Sequence, residues 1–398
     1  MLNAKARPRI LLAGGGTGGH LYPALALAEA VRRRCPDAVI VFVGARRGIE
    51  ARVLPASGWP HRLLPFEPLR RSRVWENWCL LPAAVRVWRG LRALFAELRP
   101  HLVVGTGGYA SGPAVAYGRL RGIPTAIQEQ NSYPGLTTRL LARWVDQVHL
   151  AFPEAHAHLR PGRRTEVHVL GNPIRPPDFA LDPEDARRAF GLGPGPVVLV
   201  IGGSQGARAI NVALIDALAQ VRAGRLPPLP AGWQILWATG PAHFDAVQAA
   251  LREHGIAAVR ALPYIDAMPH ALRIAALAVS RAGAMALAEL CAWGIPMILI
   301  PYPYAAGQHQ DHNARALETA GAACVLPESE LDGARLWTAI VDLANDDVRR
   351  HAMAEAARAR GRPDAADRIV ETLWRLLPAD VRSCTAPGDT HGGFAASA

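Results

Sequence analysis

Two stretches combine glycines with residues suited to phosphate and proton chemistry: "GGGTGGH" at 14–20 and "GGSQGAR" at 202–208. Each follows an apolar, β-branched run and precedes a helical pattern, so each reads as strand, glycine loop, helix. Glycine lets the main chain approach phosphate oxygens, and the helix start adds free N–H groups and the positive dipole end. Gly14, Gly16 and Gly19 fit the dinucleotide fingerprint G-x-G-x-x-G. That fingerprint needs an acid about 20 residues on, at the end of the second strand, for the ribose. The second strand instead runs "VIVFVGARRG", where Arg46 and Arg47 leave an NADP 2′-phosphate open. In the second loop Ser204 and Gln205 offer donors to a diphosphate. A third turn, "SRAGAMALAE" at 280–289, puts Gly283 and Ala284 at a helix start, with Glu289 about one and a half turns further on. A carboxylate there can accept both hydroxyls of a ribose; the plainer reading is a solvated helix residue. His20 carries an imidazole, a side chain suited to general-base chemistry, and is a candidate base, with a loop-holding role as the alternative.

The elements that must position these groups alternate strand and helix. "RILLAG", "AVIVFVGA", "HLVVGTGG" and "TAIQEQ" read as buried parallel strands, and the pattern restarts after residue 175 with "PVVLVIGG", "WQILWATG", "VRALPYI", "LAVS" and "PMILIPYP". This predicts an α/β protein of two Rossmann-like domains facing across a cleft. The N-terminal domain spans 1–172 and the C-terminal one 173–377, joined at the Pro/Gly-rich "GNPIRPPDF". The last helix, "AADRIVETLWRLL", is expected to return to the N-terminal domain, and 378–398 reads as a flexible tail.

With 398 residues, half of them apolar, the chain is globular and long enough for two cores. Its formal charge of +11 favours an anionic partner, although nearly all the cations are arginine, Lys5 being the one lysine. Five scattered cysteines show no metal-ligand spacing, so neither a metal nor a disulfide framework is expected. The start "MLNAKARPRI" does not read as a signal peptide, and no apolar run is long enough to span a bilayer. Nucleic acid is not an expected partner, because no helix-turn-helix or RNA-binding signature occurs.

Taken in order, "GGGTGGHLYPALALAE", "GTGGYASGP", "QEQNSYPG", "GNPIR", "GGSQGA", "SRAGAMALAEL" and "GQHQDHNARAL" resemble the MurG family, glycosyltransferases of the GT-B fold, over nearly the whole chain to about residue 377. The resemblance implies transfer of N-acetylglucosamine from UDP-GlcNAc to a muramyl-pentapeptide diphosphoryl-undecaprenol acceptor. The product would be the lipid-linked disaccharide of peptidoglycan synthesis, made with inversion at the anomeric carbon and without a cofactor. It implies donor contacts from Thr17, Gly18, Gly19, Asn131, Arg175 and Ser204. Ile265 is expected near the uracil, the turn Ala284, Met285, Ala286, Leu287, Ala288 and Glu289 near the diphosphate and ribose, and Gln310 near the sugar. Two departures stand out: Gly14 replaces a Thr or Ala, and Ala286 and Ala288 replace hydroxyl residues, which removes side-chain contacts to the diphosphate.

The segment 69–94 places Trp75, Trp78 and Trp88 among arginines and apolar residues such as Leu81. That mixture suits an anionic membrane surface, or else a helix packed on the sheet with solvated arginines. Together with the resemblance it implies a peripheral protein on the cytoplasmic face of the inner membrane, near other cell-wall synthesis and division proteins. Competing readings are a natural-product glycosyltransferase or UDP-GlcNAc epimerase of the same fold, and an NADP-dependent oxidoreductase.

Overall fold

The computed structural model describes residues 7–67, 80–203, 205–253 and 259–382. They divide into two compact units. One runs to Gln130, continues over Pro134–Pro173 and takes up the chain again from Asp364; the other holds Asn131–Tyr133 and Ile174–Pro363.

In the first unit the order is β1 (Arg9–Ala13), α1 (Gly18–Arg34), β2 (Val39–Ala45), α2 (Glu50–Ser57), β3 (His61–Leu64), α3 (Leu81–Leu98), β4 (Leu102–Gly105), α4 (Ser111–Leu120), β5 (Thr125–Glu129), α5 (Leu136–Leu141), β6 (Gln147–Leu150) and β7 (Glu166–Val169). These strands form one parallel sheet of order β3-β2-β1-β4-β5-β6-β7. A parallel sheet is covered on both faces, which is why β1, β4 and β5 are buried nearly throughout. One face packs Leu91, Leu94 and Phe95 of α3; the other packs Leu21, Leu27 and Val31 of α1.

The second unit contains α6 (Pro183–Phe190), β8 (Val197–Ile201), α7 (Arg208–Arg222), β9 (Gln234–Ala238), α8 (Phe244–Glu253), β10 (Val259–Leu262), α9 (Met268–Ile274), β11 (Ala275–Ser280), α10 (Ala284–Trp293), β12 (Met297–Leu299), α11 (His309–Thr319), β13 (Ala323–Val325), α12 (Gly333–Asn345) and α13 (Asp347–Arg360). Its parallel sheet has the order β10-β9-β8-β11-β12-β13. On β9, Trp237 is fully buried and donates to Asn211 Oδ1 at 3.0 Å, so the indole N–H is satisfied.

The chain closes with α14 (Ala365–Trp374) on the N-terminal unit. Ile369, Val370 and Leu373 enter the same core as Leu21 and Leu27 of α1. At the rim Arg33 bridges Asp367 at 2.6 Å, and Arg34 lies over the Trp374 ring.

The cysteines correct one expectation. Cys291 and Cys324 are free, and burial pushes the Cys291 thiol up to about 12. Cys35, buried just after α1, is disulfide-bonded. Scattered spacing hid that pairing.

Candidate active site

In an open α/β sheet, ligands collect beyond the carboxyl ends of the strands where the strand order reverses. In the N-terminal sheet that point lies between β1 and β4. The loops leaving those two strands are "GGGTGGH" and "GTGG".

The first loop is already filled by a side chain of the protein. Glu50, fully buried at the start of α2, accepts from the Gly16 N–H at 2.9 and 2.8 Å and from the Ala45 N–H at 3.0 Å. A Cβ at Gly44 or Gly48 would fall 2.8 or 2.6 Å from the same side chain. These glycines, and Gly15 in the loop itself, make room for an internal carboxylate. Thr17 stands at the start of α1, exposed, its hydroxyl capping no helix N–H, with Gly18 and Gly19 following in the first turn.

His20 sits one residue further into α1, half-buried. Its Nδ1 lies 2.9 Å from Gln130 Oε1, and its backbone carbonyl accepts from the Thr106 hydroxyl at 2.7 Å. Gly107 and Gly108 adopt φ of 97° and 78°, in the left-handed region. A Cβ on Gly107 would fall 2.6 Å from His20 Nδ1, so glycine there is what admits the imidazole.

In the C-terminal sheet the order reverses between β8 and β11. A cavity of about 930 Å³ opens there, lined by Gly202, Gly203, Gly206, Gly283, Ala286 and Gln310 among others. Gln310 Oε1 accepts from the Tyr302 N–H at 3.0 Å. Ala284 and Leu287 turn into the core, while Met285, Ala286, Ala288 and Glu289 are partly accessible. Glu289 has its carboxyl pushed up to about 7 by burial, a rise that the nearby, exposed Arg175 opposes. Ile265 is buried. Asn131 belongs to this unit, and its Oδ1 accepts from Asn313 Nδ2 at 3.2 Å. Asn313 also donates to Ala282 O and accepts from the Ser132 N–H at 2.8 Å, so it ties Asn131 to the "SRAGA" turn. Ser204 lies outside the described residues.

Three contributors escaped sequence reasoning. Glu50 carried no signal, because it lies beyond the strand end where a ribose acid was sought. Asn313 sat inside the quoted "GQHQDHNARAL" without a role. Arg281 lines the cavity, reaches Glu328 at 2.5 Å, donates to Ile300 O at 3.1 Å and faces the Tyr302 ring. Its partners lie 19 and 47 residues away in sequence, beyond any local pattern. Among the described residues no group of three or more His, Cys, Asp or Glu is placed to hold a metal ion.

Comparison with known proteins fixes the relationship. The glycosyltransferase family 28 N-terminal domain matches residues 10–150, and the family 28 C-terminal domain matches 197–369. A protein of Desulforudis audaxviator named UDP-N-acetylglucosamine--N-acetylmuramyl-(pentapeptide) pyrophosphoryl-undecaprenol N-acetylglucosamine transferase is 41% identical over 92% of this chain and 98% of its own. The Salinibacter ruber protein of the same name is 44% identical over 93% and 97%. The chain belongs to the MurG family of N-acetylglucosaminyltransferases. The crystal structure of Acinetobacter baumannii MurG superposes with a TM-score of 0.71 at 27% identity, covering 92% of this chain and 99% of that one. The kitacinnamycin glycosyltransferase, at 19% identity and a TM-score of 0.67, shares the fold. Within the MurG family frame, the two switch-point loops carry the quoted motifs, one set on each unit.

Proposed function

We propose that the protein transfers N-acetylglucosamine from UDP-GlcNAc to the muramyl-pentapeptide diphosphoryl-undecaprenol acceptor, with the donor on the C-terminal unit and the acceptor on the N-terminal one. The observation that carries this assignment is the contrast between the two glycine loops. The N-terminal loop spends its Gly16 amide on Glu50, whereas the C-terminal loop opens onto a cavity with Gln310 on its wall. A diphosphate suits the second.

In the reaction, an acceptor hydroxyl attacks the anomeric carbon as the bond to UDP breaks, giving a β-linked product from an α-linked donor. His20 takes the hydroxyl proton. The N-termini of α7 and α10, with Ser204 and Arg175, bear the charge that builds on departing UDP. Thr17, Gly18, Gly19 and Asn131 complete the contacts to the sugar and diphosphate. The uracil lies near Ile265, and the Glu289 carboxylate accepts the ribose hydroxyls.

The lipid-linked acceptor calls for a membrane surface. On α3, Leu81, Val85 and Trp88 are exposed in one stripe beside Arg86, Arg89 and Arg92, while Val87, Leu91 and Leu94 face the core. Trp75 and Trp78 lie outside the described residues. No described helix is long and apolar enough to cross a membrane. We assign the α3 stripe to the surface of the inner membrane's cytoplasmic face, with other cell-wall synthesis and division proteins as further candidate partners there. Calorimetry with UDP-GlcNAc, UDP-glucose and NADPH tests the reading: UDP-GlcNAc binds, and exclusive binding of NADPH overturns it.

A further inference from the structure

Behind His20 lies a buried amide network whose directions are fixed. Gln130 is 2% exposed, and its Nε2 donates to Thr106 O at 2.8 Å and to Gln128 O at 3.1 Å; Gln128 Oε1 is also within reach. Gln128 Nε2 donates to Asn172 Oδ1 at 2.9 Å, and Asn172 Nδ2 returns a bond to Gln130 O at 3.1 Å. Turning the Gln130 amide over would set its oxygen against two carbonyl oxygens and strand them without donors, at a cost of about 1–3 kcal/mol for each buried group left unpaired. Oε1 therefore faces His20, and an amide oxygen can only accept. The nitrogen 2.9 Å away, His20 Nδ1, must carry the proton.

We propose that Gln130 is a positioning residue that holds neutral His20 in the Nδ1–H tautomer, leaving the Nε2 lone pair to take the acceptor's proton. The inference rests on the reading of His20 as general base. No described residue hydrogen-bonds Nε2, so the basic nitrogen is uncommitted. Free histidine prefers the opposite tautomer, in which Nε2 is protonated and useless as a base. Gln130 supplies the missing bias without a charge, so unlike a carboxylate partner it does not favour the imidazolium. Gly107 closes the opposite side of the Nδ1 bond, where any Cβ would break it.

The test uses the full chain labelled with 15N-histidine, the His20 signals being identified by their loss in His20→Ala. Above its titration, wild-type His20 is expected to show a pyridine-like Nε2 and a pyrrole-like Nδ1. In Gln130→Met the populations shift toward Nε2–H, and kcat falls at least ~10-fold while KM for UDP-GlcNAc stays within about twofold. An Nε2–H tautomer in the wild type overturns the proposal without any variant, as does an unchanged tautomer or unchanged kcat in a folded Gln130→Met. If instead His20→Ala retains near-normal turnover, the base assignment fails, and the wild-type ring signals still report separately whether Gln130 sets the tautomer.

Discussion

The Glu50 carboxylate occupies the first glycine loop, both oxygens within 3 Å of the Gly16 N–H, where a dinucleotide fold would seat its pyrophosphate. The loop keeps the glycines of a phosphate site but turns its Gly16 amide onto an internal anion. Glu50→Ala leaves the Gly16 and Ala45 amides without their acceptor. Denaturant unfolding is expected to show a loss of about 2–4 kcal/mol. Unaltered stability would remove Glu50 from this role.

His20→Ala should lower kcat by at least ~100-fold, since a general base supplies a rate factor of that order. Steady-state assays at saturating substrates measure it. Turnover near the wild-type value would leave His20 with a structural role only.

Glu289 yields a prediction with a definite sign. Its carboxyl is pushed up to about 7 from an ordinary 4.5, so between those values the folded state binds more protons than the unfolded one. Stability is therefore higher at low pH and is lost as pH rises through that window. Glu289→Gln should be more stable than wild type by about 1–3 kcal/mol at pH 8, with no difference below pH 4.5. The same change should weaken UDP binding at least ~10-fold, because a charged acceptor for the ribose hydroxyls is lost. Wild-type affinity should decline below about pH 7, and the variant should not follow. Parallel pH profiles would contradict the ribose role.

On α3, replacing the exposed Leu81 and Val85 and the half-exposed Trp88, which packs edge-on against Tyr117, with Ser should reduce co-sedimentation with anionic vesicles, with circular dichroism confirming a folded variant. Unchanged vesicle binding would refute the patch.

Ile369→Ala on α14 should cost about 2–5 kcal/mol in the N-terminal unit, because Ile369 is fully buried among α1 side chains. Thermal unfolding with and without UDP checks which unit is affected.

The alternation of strands, the restart after residue 175 and the glycine turns were legible because buried parallel strands and loop glycines leave local signals. Edge strands were not: β3, β7 and β13 lie at sheet edges and are only partly buried, so they leave no continuous apolar run. Residues that work through long-range bonds were also hidden. Glu50 has no distinctive neighbours, and Asn313 and Arg281, though inside quoted motifs, gain their roles only when folding brings their distant partners to them. Gln130 was visible as part of "QEQN", but its function depends on the direction of an amide, which composition cannot encode.

The central claim is sugar transfer from a UDP donor. Incubating the purified protein with UDP-[14C]GlcNAc and the muramyl-pentapeptide diphosphoryl-lipid tests it most directly. The label should move to the lipid-extractable fraction as a β-linked disaccharide, with release of one UDP for each sugar moved. UDP release without labelled lipid, or no turnover of UDP-GlcNAc at all, would contradict it.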